Sequence, residues 1–388
     1  MRHRWRLLGT TALALGGTLV LTRPALANPQ GGSVVAGAAT IVQPSANQLN
    51  VNQSTDKAII NWSSFSIGSG ETTTFIQPST TSVTLNRVLG TDPSAIDGSL
   101  TANGRVFIVN QNGIVFGAGS KVDVAGLVAT TADIADADFM AGTYRFNTSS
   151  PITGASVTNL GTISIAENGL AALVAPTVAN QGIITARLGS VTLGGHATFT
   201  LDLAGDGLIS FDTGEAAPAA SASNNGQILA DGGQVRLDAG TAGAVVGGVV
   251  DMSGVIQART VGAKNGQIVL SGSGDVTVEG QVEAPGGSVS ISGGYVALGS
   301  GASLDGRRRV FILDFVGAGE NTDGLQIDLG TSAGKVSNRS LVSNAALHGL
   351  RASFEVDPNN ADLIEMRLRI MRGDHPVTET WLYRWTSP

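Results

Sequence analysis

Carboxyl groups are the side chains in this sequence best suited to acid–base chemistry. Two of them held about 5 to 9.5 Å apart can hydrolyse a glycosidic bond. Six acidic residues recur in the second half of the chain and could supply such a pair: Asp231, Asp238, Asp251, Asp275, Glu279 and Glu283. Aspartate also favours turns for reasons unrelated to catalysis. We interpret the six as turn and surface residues, and we assign no catalytic residue.

Ligands for a metal ion are sparse in this sequence. It contains no cysteine, and His3, His196, His348 and His375 are far apart. Metal sites in proteins need clustered cysteine, histidine or carboxylate side chains. We therefore predict neither a metal ion nor a cofactor.

Three aromatic residues near the carboxyl end could contact a sugar. Trp381, Tyr383 and Trp385 alternate, so on a β-strand their side chains share one face. Stacked on sugar rings they would form a glycan-binding platform, and packed inside the protein they would form part of a core. The alternation favours the core, and glycan contact is the alternative.

A tripeptide that adhesion receptors recognise also occurs, as Arg372-Gly373-Asp374. Gly-Asp is at the same time suited to a two-residue turn between hairpin strands. We interpret the tripeptide as a turn.

The elements that would position these side chains are short strands. The chain has 388 residues, of which 53 are glycine, and only 14% are charged. A low charge with abundant Gly, Ser, Thr, Asn, Val and Ile favours strands and tight turns over helices. The formal net charge of −7 weighs against a nucleic-acid partner, which requires clustered basic residues.

The first 27 residues have the pattern of a signal peptide. Arginines at positions 2, 4 and 6 form a positive start, Leu7 to Leu21 is apolar, and Ala25-Leu26-Ala27 suits cleavage after Ala27. The apolar stretch is short for a membrane span and does not recur. We predict an exported protein with no transmembrane anchor in the mature chain.

Residues 61–117 form a series of short β segments closed by turn residues. Val106 to Val109 is apolar without a break, which predicts a strand covered on both faces. Asn112-Gly113 tolerates positive φ and predicts a turn. The motif residues of this stretch are Asn61, Trp62, Phe65, Asn86, Arg87, Val88, Asn110, Gln111, Asn112, Gly113 and Ile114.

The order of these motifs resembles the amino-terminal secretion domain of two-partner-secretion exoproteins of the filamentous haemagglutinin type, in particular the branch of haem scavengers and high-molecular-weight adhesins. The resemblance covers residues 28–150. It implies a right-handed parallel β-helix whose first coils are recognised, through the eleven motif residues, by an outer-membrane transporter with periplasmic receptor domains. The family commonly has proline where this chain has Gln111, and glutamine leaves a free N–H and a looser φ there.

An internal repeat begins at Asn159. Asn159-Leu160-Gly161 recurs as Asn180-Gln181-Gly182, then as Asn225-Gly226 and Asn265-Gly266, with glycine spacings of 21, 44 and 40 residues. A period of about 20 residues built from strands and glycine turns predicts a β-solenoid, here over residues 151–306. Residues 28–306 would then form about twelve coils. A β-sandwich is the competing fold.

The character of the chain changes at Arg307, where charged and aromatic residues become more frequent. Alternating apolar residues predict antiparallel strands with one solvated face. These strands are Val310 to Phe315, Leu325 to Leu329, Leu350 to Val356, Ile364 to Ile370 and Glu379 to Trp385.

This last stretch resembles the carboxy-terminal end of the periplasmic glucan-biosynthesis protein G/D family. The resemblance lies in Arg308 to Phe315, Leu350 to Phe354 and Glu379 to Trp385. It implies an immunoglobulin-like β-sandwich and a role in making or shaping osmoregulated periplasmic glucans. The large amino-terminal sandwich of that family, which holds its carbohydrate cleft, has no counterpart here, so its activity is not carried over.

Together these patterns predict an all-β chain, a right-handed parallel β-helix followed by a small immunoglobulin-like antiparallel sandwich. The predicted regions are 1–27 (signal peptide), 28–150 (secretion domain), 151–306 (β-helix repeats) and 307–388 (glucan-biosynthesis-like domain). The predicted function is that of an exported exoprotein with an adhesion or surface-scaffold role outside the cell. Its partners would be the transporter and a host or cell-surface glycan or receptor. The alternatives are a periplasmic glucan-binding protein and a solenoid glycosidase.

Overall fold

The computed structural model describes residues 28–203, 209–211, 220–240, 248–293, 295–319, 321–344, 348–359 and 361–386. The predicted signal peptide, with its cleavage position at Ala27, lies outside these residues. The first strands are β1 (Ser33–Ala36), β2 (Ala39–Ser45), β3 (Gln48–Gln53), β4 (Lys57–Trp62), β5 (Thr72–Ile76), β6 (Val83–Val88), β7 (Ser94–Ile96), β8 (Ser99–Val109), β9 (Ile114–Phe116) and β10 (Lys121–Thr130).

One short helix, α1 (Asp136–Ala141), precedes the middle strands. These are β11 (Tyr144–Phe146), β12 (Ser156–Asn159), β13 (Thr162–Ile165), β14 (Leu170–Ala175), β15 (Thr177–Asn180), β16 (Ile183–Thr185), β17 (Ser190–Gly195), β18 (Phe199–Leu201), β19 (Ile209–Phe211), β20 (Ser221–Asn224), β21 (Gln227–Leu229), β22 (Gln234–Ala239), β23 (Val249–Met252), β24 (Val255–Gln257), β25 (Gln267–Gly272), β26 (Asp275–Val278), β27 (Gln281–Ser292) and β28 (Tyr295–Leu298). The last strands are β29 (Ser303–Phe315), β30 (Leu325–Thr331), β31 (Lys335–Asn344), β32 (Gly349–Asp357), β33 (Leu363–Arg372), β34 (His375–Pro376) and β35 (Trp381–Thr386).

Three stacks of parallel strands form the faces of a solenoid. The first face contains β3, β5, β13, β16, β21 and β24, together with the first halves of β8, β10, β27 and β29. The second contains β4, β6, β14, β17, β22 and β25, with the second halves of the same four long strands. The third contains β7, β9, β12, β15, β20, β23, β26 and β28. The all-β parallel β-helix predicted from the sequence is confirmed.

The interior of the solenoid is filled by alternate side chains of each strand. In β13, Ile163 and Ile165 are buried, whereas Thr162 and Ser164 are half-buried. The inward side chains form one continuous cluster that begins at Leu49 and extends to Val289. Each coil therefore covers the apolar residues of the next, as expected of a solenoid.

The number of coils is smaller than the sequence predicted. Nine parallel pairs join ten strands on the first face, not about twelve, among the described residues. Two insertions interrupt the coils: residues 131–155 lie between β10 and β12, and a segment whose described part contains β18 and β19 lies between β17 and β20. The 44-residue spacing from Gly182 to Gly226 is therefore one coil with an insertion rather than two coils. Gly266 is not equivalent to Gly226 and lies at a different corner of the solenoid. There its carbonyl group is next to Gly287.

A ladder of buried amides marks the corner between the third and first faces. Asn159 donates from Nδ2 to Oδ1 of Asn180 at 2.8 Å, and Asn180 donates likewise to Asn224 at 2.7 Å. The Nδ2 of Asn224 then reaches the sulfur of Met252 at 3.4 Å. The repeating asparagine is thus Asn224 and not the predicted Asn225, whereas Gly226 is the equivalent of Gly182 as the glycine spacing predicted.

A second apolar core lies outside the second face. The ring centroid of Phe107 in β8 is 6.1 Å from that of Phe139 in α1 and 5.5 Å from that of Tyr144 in β11. Strands β11, β18 and β19 form a small antiparallel sheet over this core. The prediction that Val106 to Val109 is covered on both faces is confirmed, because all four residues are buried.

At the carboxyl end, β29, β31 and β32 pair as one antiparallel unit, and β30, β33, β34 and β35 form a four-stranded antiparallel sheet. Strand β32 lies between β29 and β31, and β33 lies between β30 and β35, with β34 beside the end of β33. The buried residues of β32 and β33 belong to one cluster, so the sheets pack face to face. All five strands predicted for this region occur. The sequence missed β31, which has no strict apolar alternation.

Strand β29 belongs to both parts of the molecule. It pairs in parallel with β27 from Ser303 to Phe311 and antiparallel with β32 from Arg309 to Phe315. The last coil and the sandwich are consequently joined by a continuous strand.

Candidate recognition site

The first motif forms a buried aromatic and amide cluster between β4 and β6. The Nε1 of Trp62 donates to Oδ1 of Asn86 at 3.0 Å, and the Nδ2 of Asn86 donates to the carbonyl of Phe107 at 3.2 Å. The Phe65 ring meets the Trp62 ring edge-on at 5.7 Å and stacks on Phe75 at 6.4 Å. Asn86 thus links three successive coils, because β4, β6 and β8 are neighbours in the second face.

Arg87 ties the same coil to the first insertion. Its Nε lies 2.8 Å from Oδ1 of Asp133, and its Nη1 lies 2.6 Å from Oδ1 of Asp136. A third bond runs from Nη2 to the carbonyl of Ile134 at 2.5 Å. Burial lowers the pKa of the Arg87 guanidinium, but the two carboxylates outweigh it and leave that pKa above its ordinary value. A weaker contact at 3.5 Å joins Arg87 to Asn61.

The second motif is a turn organised by one amide. The Oδ1 of Asn110 accepts from the backbone N–H of Asn112 at 2.9 Å, and its Nδ2 donates to Oγ of Ser94 at 3.0 Å. Gly113 follows with a φ of 114°, a conformation in which a Cβ is strained. The Nδ2 of Asn112 donates to the carbonyl of Gly90 at 2.9 Å, which connects this turn to the segment after the first motif.

Gln111 contacts the end of the first insertion. Its Nε2 donates to the carbonyl of Ser149 at 3.3 Å, and its own carbonyl accepts from Oγ of Ser150 at 2.5 Å. Glutamine therefore adds a side-chain contact at the position where proline would instead fix φ.

The structure buries most of the predicted recognition residues. Seven of the eleven are buried, namely Trp62, Phe65, Asn86, Val88, Asn110, Gly113 and Ile114. The other four, Asn61, Arg87, Gln111 and Asn112, are half-buried. In the folded chain these side chains complete turns and core rather than form an exposed surface.

Sequence reasoning missed two residues of this site, Asp133 and Asp136. They lie 46 and 49 residues after Arg87, and no pattern in the neighbouring residues indicates that they pair with it. The surrounding segment contains helix α1, which was not predicted from the sequence. Its signals were the acidic residues of its first turn and Gly142, which ends it with a φ of 83°.

The six acidic candidates are dispersed and serve different local roles. Asp231 pairs with Arg259 at 2.9 Å, while Asp251 and Glu283 are half-buried and Asp275 and Glu279 are exposed. Within the part of the chain that the structure describes, no three His, Cys, Asp or Glu side chains are grouped as metal ligands would be.

Asp238 alone among the six is buried. Its Oδ1 lies 2.6 Å from Nε2 of His196, and its Oδ2 lies 2.9 Å from Nη2 of Arg236. Arg236 also donates to the carbonyl of Ile209, so this cluster joins the second insertion to the solenoid. Burial raises the pKa of Asp238, but the hydrogen bond from His196 and the charge of Arg236 outweigh it and hold the pKa below its usual value.

The three aromatic candidates face the interior of the sandwich. Trp385 is buried, and Trp381 and Tyr383 are half-buried and stacked at 5.6 Å. The ring of Phe311 meets Trp381 at 5.8 Å and Tyr383 at 5.6 Å. This is the arrangement of a core rather than of an open sugar-binding platform.

The tripeptide Arg372-Gly373-Asp374 is exposed at the tip of the hairpin between β33 and β34. Gly373 has a φ of 58°, as a tight hairpin turn requires. The interpretation as a turn is confirmed.

Among the described residues, no helix has the length and apolar character needed to cross a membrane.

Comparisons with known proteins divide the chain at residue 284, within β27 and before the last coil of the solenoid. The TPS secretion domain family matches residues 25–284, and the periplasmic glucan biosynthesis protein MdoG family matches residues 284–385. Glucans biosynthesis protein G 1 of Shewanella oneidensis is 40% identical over 80 residues, which are 20% of this chain and 15% of that protein.

The solenoid has relatives in Haemophilus influenzae. Its heme/hemopexin-binding protein, from strain Rd, is 34% identical over 250 residues, which are 63% of this chain and 27% of that protein. The crystal structure of the HMW1 secretion domain superposes with a TM-score of 0.63 at 30% identity, covering 72% of this chain and 73% of that one.

By their names, one of these relatives binds heme and hemopexin and the other contains a secretion domain. The chain spans 27% of the length of the heme/hemopexin-binding protein and 15% of that of the glucan protein. The family match covers residues 25–284, well over half of the chain, and the matched region is the solenoid described above. The chain belongs to the TPS secretion domain family, whose members are exported exoproteins.

Proposed function

We propose that the transporter recognises this exoprotein while it is unfolded, through the eleven motif residues, and that the chain then folds outside the cell. The observation that carries the proposal is the burial of seven of these residues in the folded solenoid. A receptor cannot reach Trp62 or Asn86 once their coils have closed, because both side chains are almost fully excluded from solvent. Recognition would therefore precede folding.

We further propose that the folded chain is a rod with a surface-scaffold or adhesion role. Support comes from the shared strand β29, which joins the solenoid to the sandwich without a linker and would present the sandwich in a fixed orientation. We propose that the sandwich is a shortened immunoglobulin-like domain. Its two antiparallel sheets and the MdoG family match support this relationship.

Secretion of matched variants tests the first proposal. Asn110 and Asn159 are both fully buried amides in corners of the solenoid, but only Asn110 belongs to a motif. In cells that co-express the cognate transporter, Asn110→Ala should lower the amount of protein in the medium much more than Asn159→Ala. Deletion of residues 61–117 should abolish secretion.

Two results would contradict the proposal. Equal losses for both asparagine variants would mean that folding, not recognition, limits export. Continued secretion of the deletion variant would mean that recognition resides elsewhere.

A periplasmic, glucan-binding role is the second candidate, and the MdoG family match favours it. The full chain applied to an array of linear and branched glucans should then bind, and fractionated cells should retain it in the periplasm. A blank array, with the protein found in the medium, would dispose of this candidate.

A further inference from the structure

The third face of the solenoid ends in a strand with a free edge. Strand β28 pairs in parallel with β26, and no described strand lies on its other side. The second face differs, because the end of β29 continues into pairing with β32. An unpaired edge presents backbone N–H and carbonyl groups that another extended chain can pair with.

The apolar residues of this last coil are incompletely covered. Val276 and Val278 in β26 are fully buried, whereas Val296 and Leu298, their register partners in β28, are half-buried. Side chains on this face of β28 therefore lack the next coil that covers every inner strand. Tyr295, on the opposite face, is 66% exposed.

A cavity lies over these half-buried residues. Its volume is about 240 Å³, and Val296, Leu298 and Leu304 of the last coil form one side of it. Phe311, Trp381 and Tyr383 of the sandwich form the other side. The lining is mainly aliphatic and aromatic, so the space suits an apolar side chain rather than a charged group.

We propose that the β28 edge and this cavity together bind an extended segment of a partner protein, which adds as a further strand beside β28. An extended peptide backbone can continue the ladder of β28 with a regular series of N–H and carbonyl groups, and the cavity accepts an apolar side chain from alternate positions of that backbone. A glycan or a lipid has no such regular series of donors and acceptors. A single strand also fits the space better than a second folded copy, whose own β28 is flanked by its sandwich.

The matching segment is therefore short, extended and apolar at every second position, with an aliphatic or aromatic side chain directed to the cavity. The sequence Gly274 to Gly280 is a suitable probe, because Asp275 to Val278 within it already pair with β28 from its inner side. A labelled peptide of this sequence should bind the full chain saturably in fluorescence anisotropy. A control peptide of the same composition with its two valines adjacent should bind at least about tenfold more weakly.

Two substitutions in β28 test whether the peptide binds through the cavity or through the exposed face of the strand. Val296→Asp places a charge toward the cavity and should abolish binding, whereas Tyr295→Asp places the same charge toward water and should preserve it. The two-peptide comparison uses the unaltered chain, so it remains decisive if Val296→Asp does not fold. Hydrogen exchange should show new protection of Tyr295 to Leu298 when the first peptide is added.

Several results would overturn the proposal. They are equal affinity for the two peptides, equal effects of the two substitutions in folded protein, and protection confined to Ser303 to Gly306, the neighbouring end of the first face. Sedimentation that shows a dimer protected at β28 without peptide would identify a second copy as the occupant instead.

Discussion

At the scale of single residues, buried asparagine side chains hold the backbone of the solenoid in place. Asn86, Asn110, Asn159, Asn180 and Asn224 are all fully buried, and each has hydrogen-bond partners on neighbouring coils or within its own turn. A buried amide that loses its partners costs more free energy than the same group in water. These asparagines therefore favour one register of the coils over its alternatives.

Removal of the Asn86 side chain tests this at the first motif. Asn86→Ala should lower the free energy of unfolding by about 1 to 3 kcal/mol, because the indole N–H of Trp62 and the carbonyl of Phe107 would lose their partner. Urea denaturation measures the change. Asn61→Ala is the control: Asn61 is half-buried with a 3.5 Å contact, and its loss should cost less than about 0.5 kcal/mol. Equal costs would show that the buried network is not the source of stability.

The buried Asp238 predicts a dependence of stability on pH. Its pKa is held below the usual value in the folded chain, so its contribution is fully present above the unfolded pKa of about 3.9 and is lost as pH falls through the folded value. The urea midpoint should therefore decrease below about pH 4. In Asp238→Asn this decrease should be shallower, and parallel pH profiles for the two proteins would contradict the assignment.

At the level of elements, glycines permit the strands to stack at the corner between the third and first faces. A Cβ on Gly182 would lie 2.1 Å from the carbonyl oxygen of Gly161, and one on Gly226 would lie 2.1 Å from that of Gly182. Gly254 and Gly280 continue the same stack. Any larger residue must push two coils apart.

The substitution Gly226→Ala should destabilise the solenoid by about 1 to 3 kcal/mol, the usual cost of overpacking. Gly330→Ala in β30 is the matched control, because no atom lies within 4 Å of its added Cβ. That control should remain within about 0.5 kcal/mol of the parent. Thermal unfolding of both variants provides the measurement, and similar midpoints would refute the steric explanation.

The elements that could be predicted are those whose pattern is set by their own residues. The strict alternation in β33 and the unbroken apolar run Val106 to Val109 each identified a strand. Helix α1 and strand β31 were missed, because six residues without an apolar period and a largely polar edge strand lack such a pattern. The insertion between β17 and β20 lengthened one coil to 44 residues, so the glycine spacing predicted two coils there.

The motif residues of the site were identified by resemblance, but their surroundings were not. Alternation within short strands does not tell which face is inward once both faces carry apolar cores, as Phe107 illustrates. The partners of Arg87 come from a distant insertion, so only the folded chain brings them together.

At the scale of the whole molecule, the solenoid is a one-dimensional stack in which each coil contacts its neighbours. The effect of a substitution on local stability should therefore decrease with distance along the axis of the solenoid. The sandwich offers a test because Phe354 stacks on Phe311 of the shared strand at 5.0 Å.

Phe354→Ala should cost about 3 to 5 kcal/mol of local stability. Hydrogen exchange should then accelerate in Arg309 to Phe315 and leave β8 and β10 as protected as in the parent. Phe107→Ala is the reciprocal control and should affect β8 and its neighbours while sparing the sandwich. Uniform acceleration throughout the chain in either variant would argue for a single cooperative unit.

The continuity of β29 also has a mechanical consequence. A pull on the carboxyl end would reach the last coil through one extended backbone, with no slack segment to absorb it. The tension would act along the ladder between β27 and β29, where eight registered pairs share the load in shear. Anything tethered to the sandwich would then strain the rod itself, instead of swivelling on a hinge.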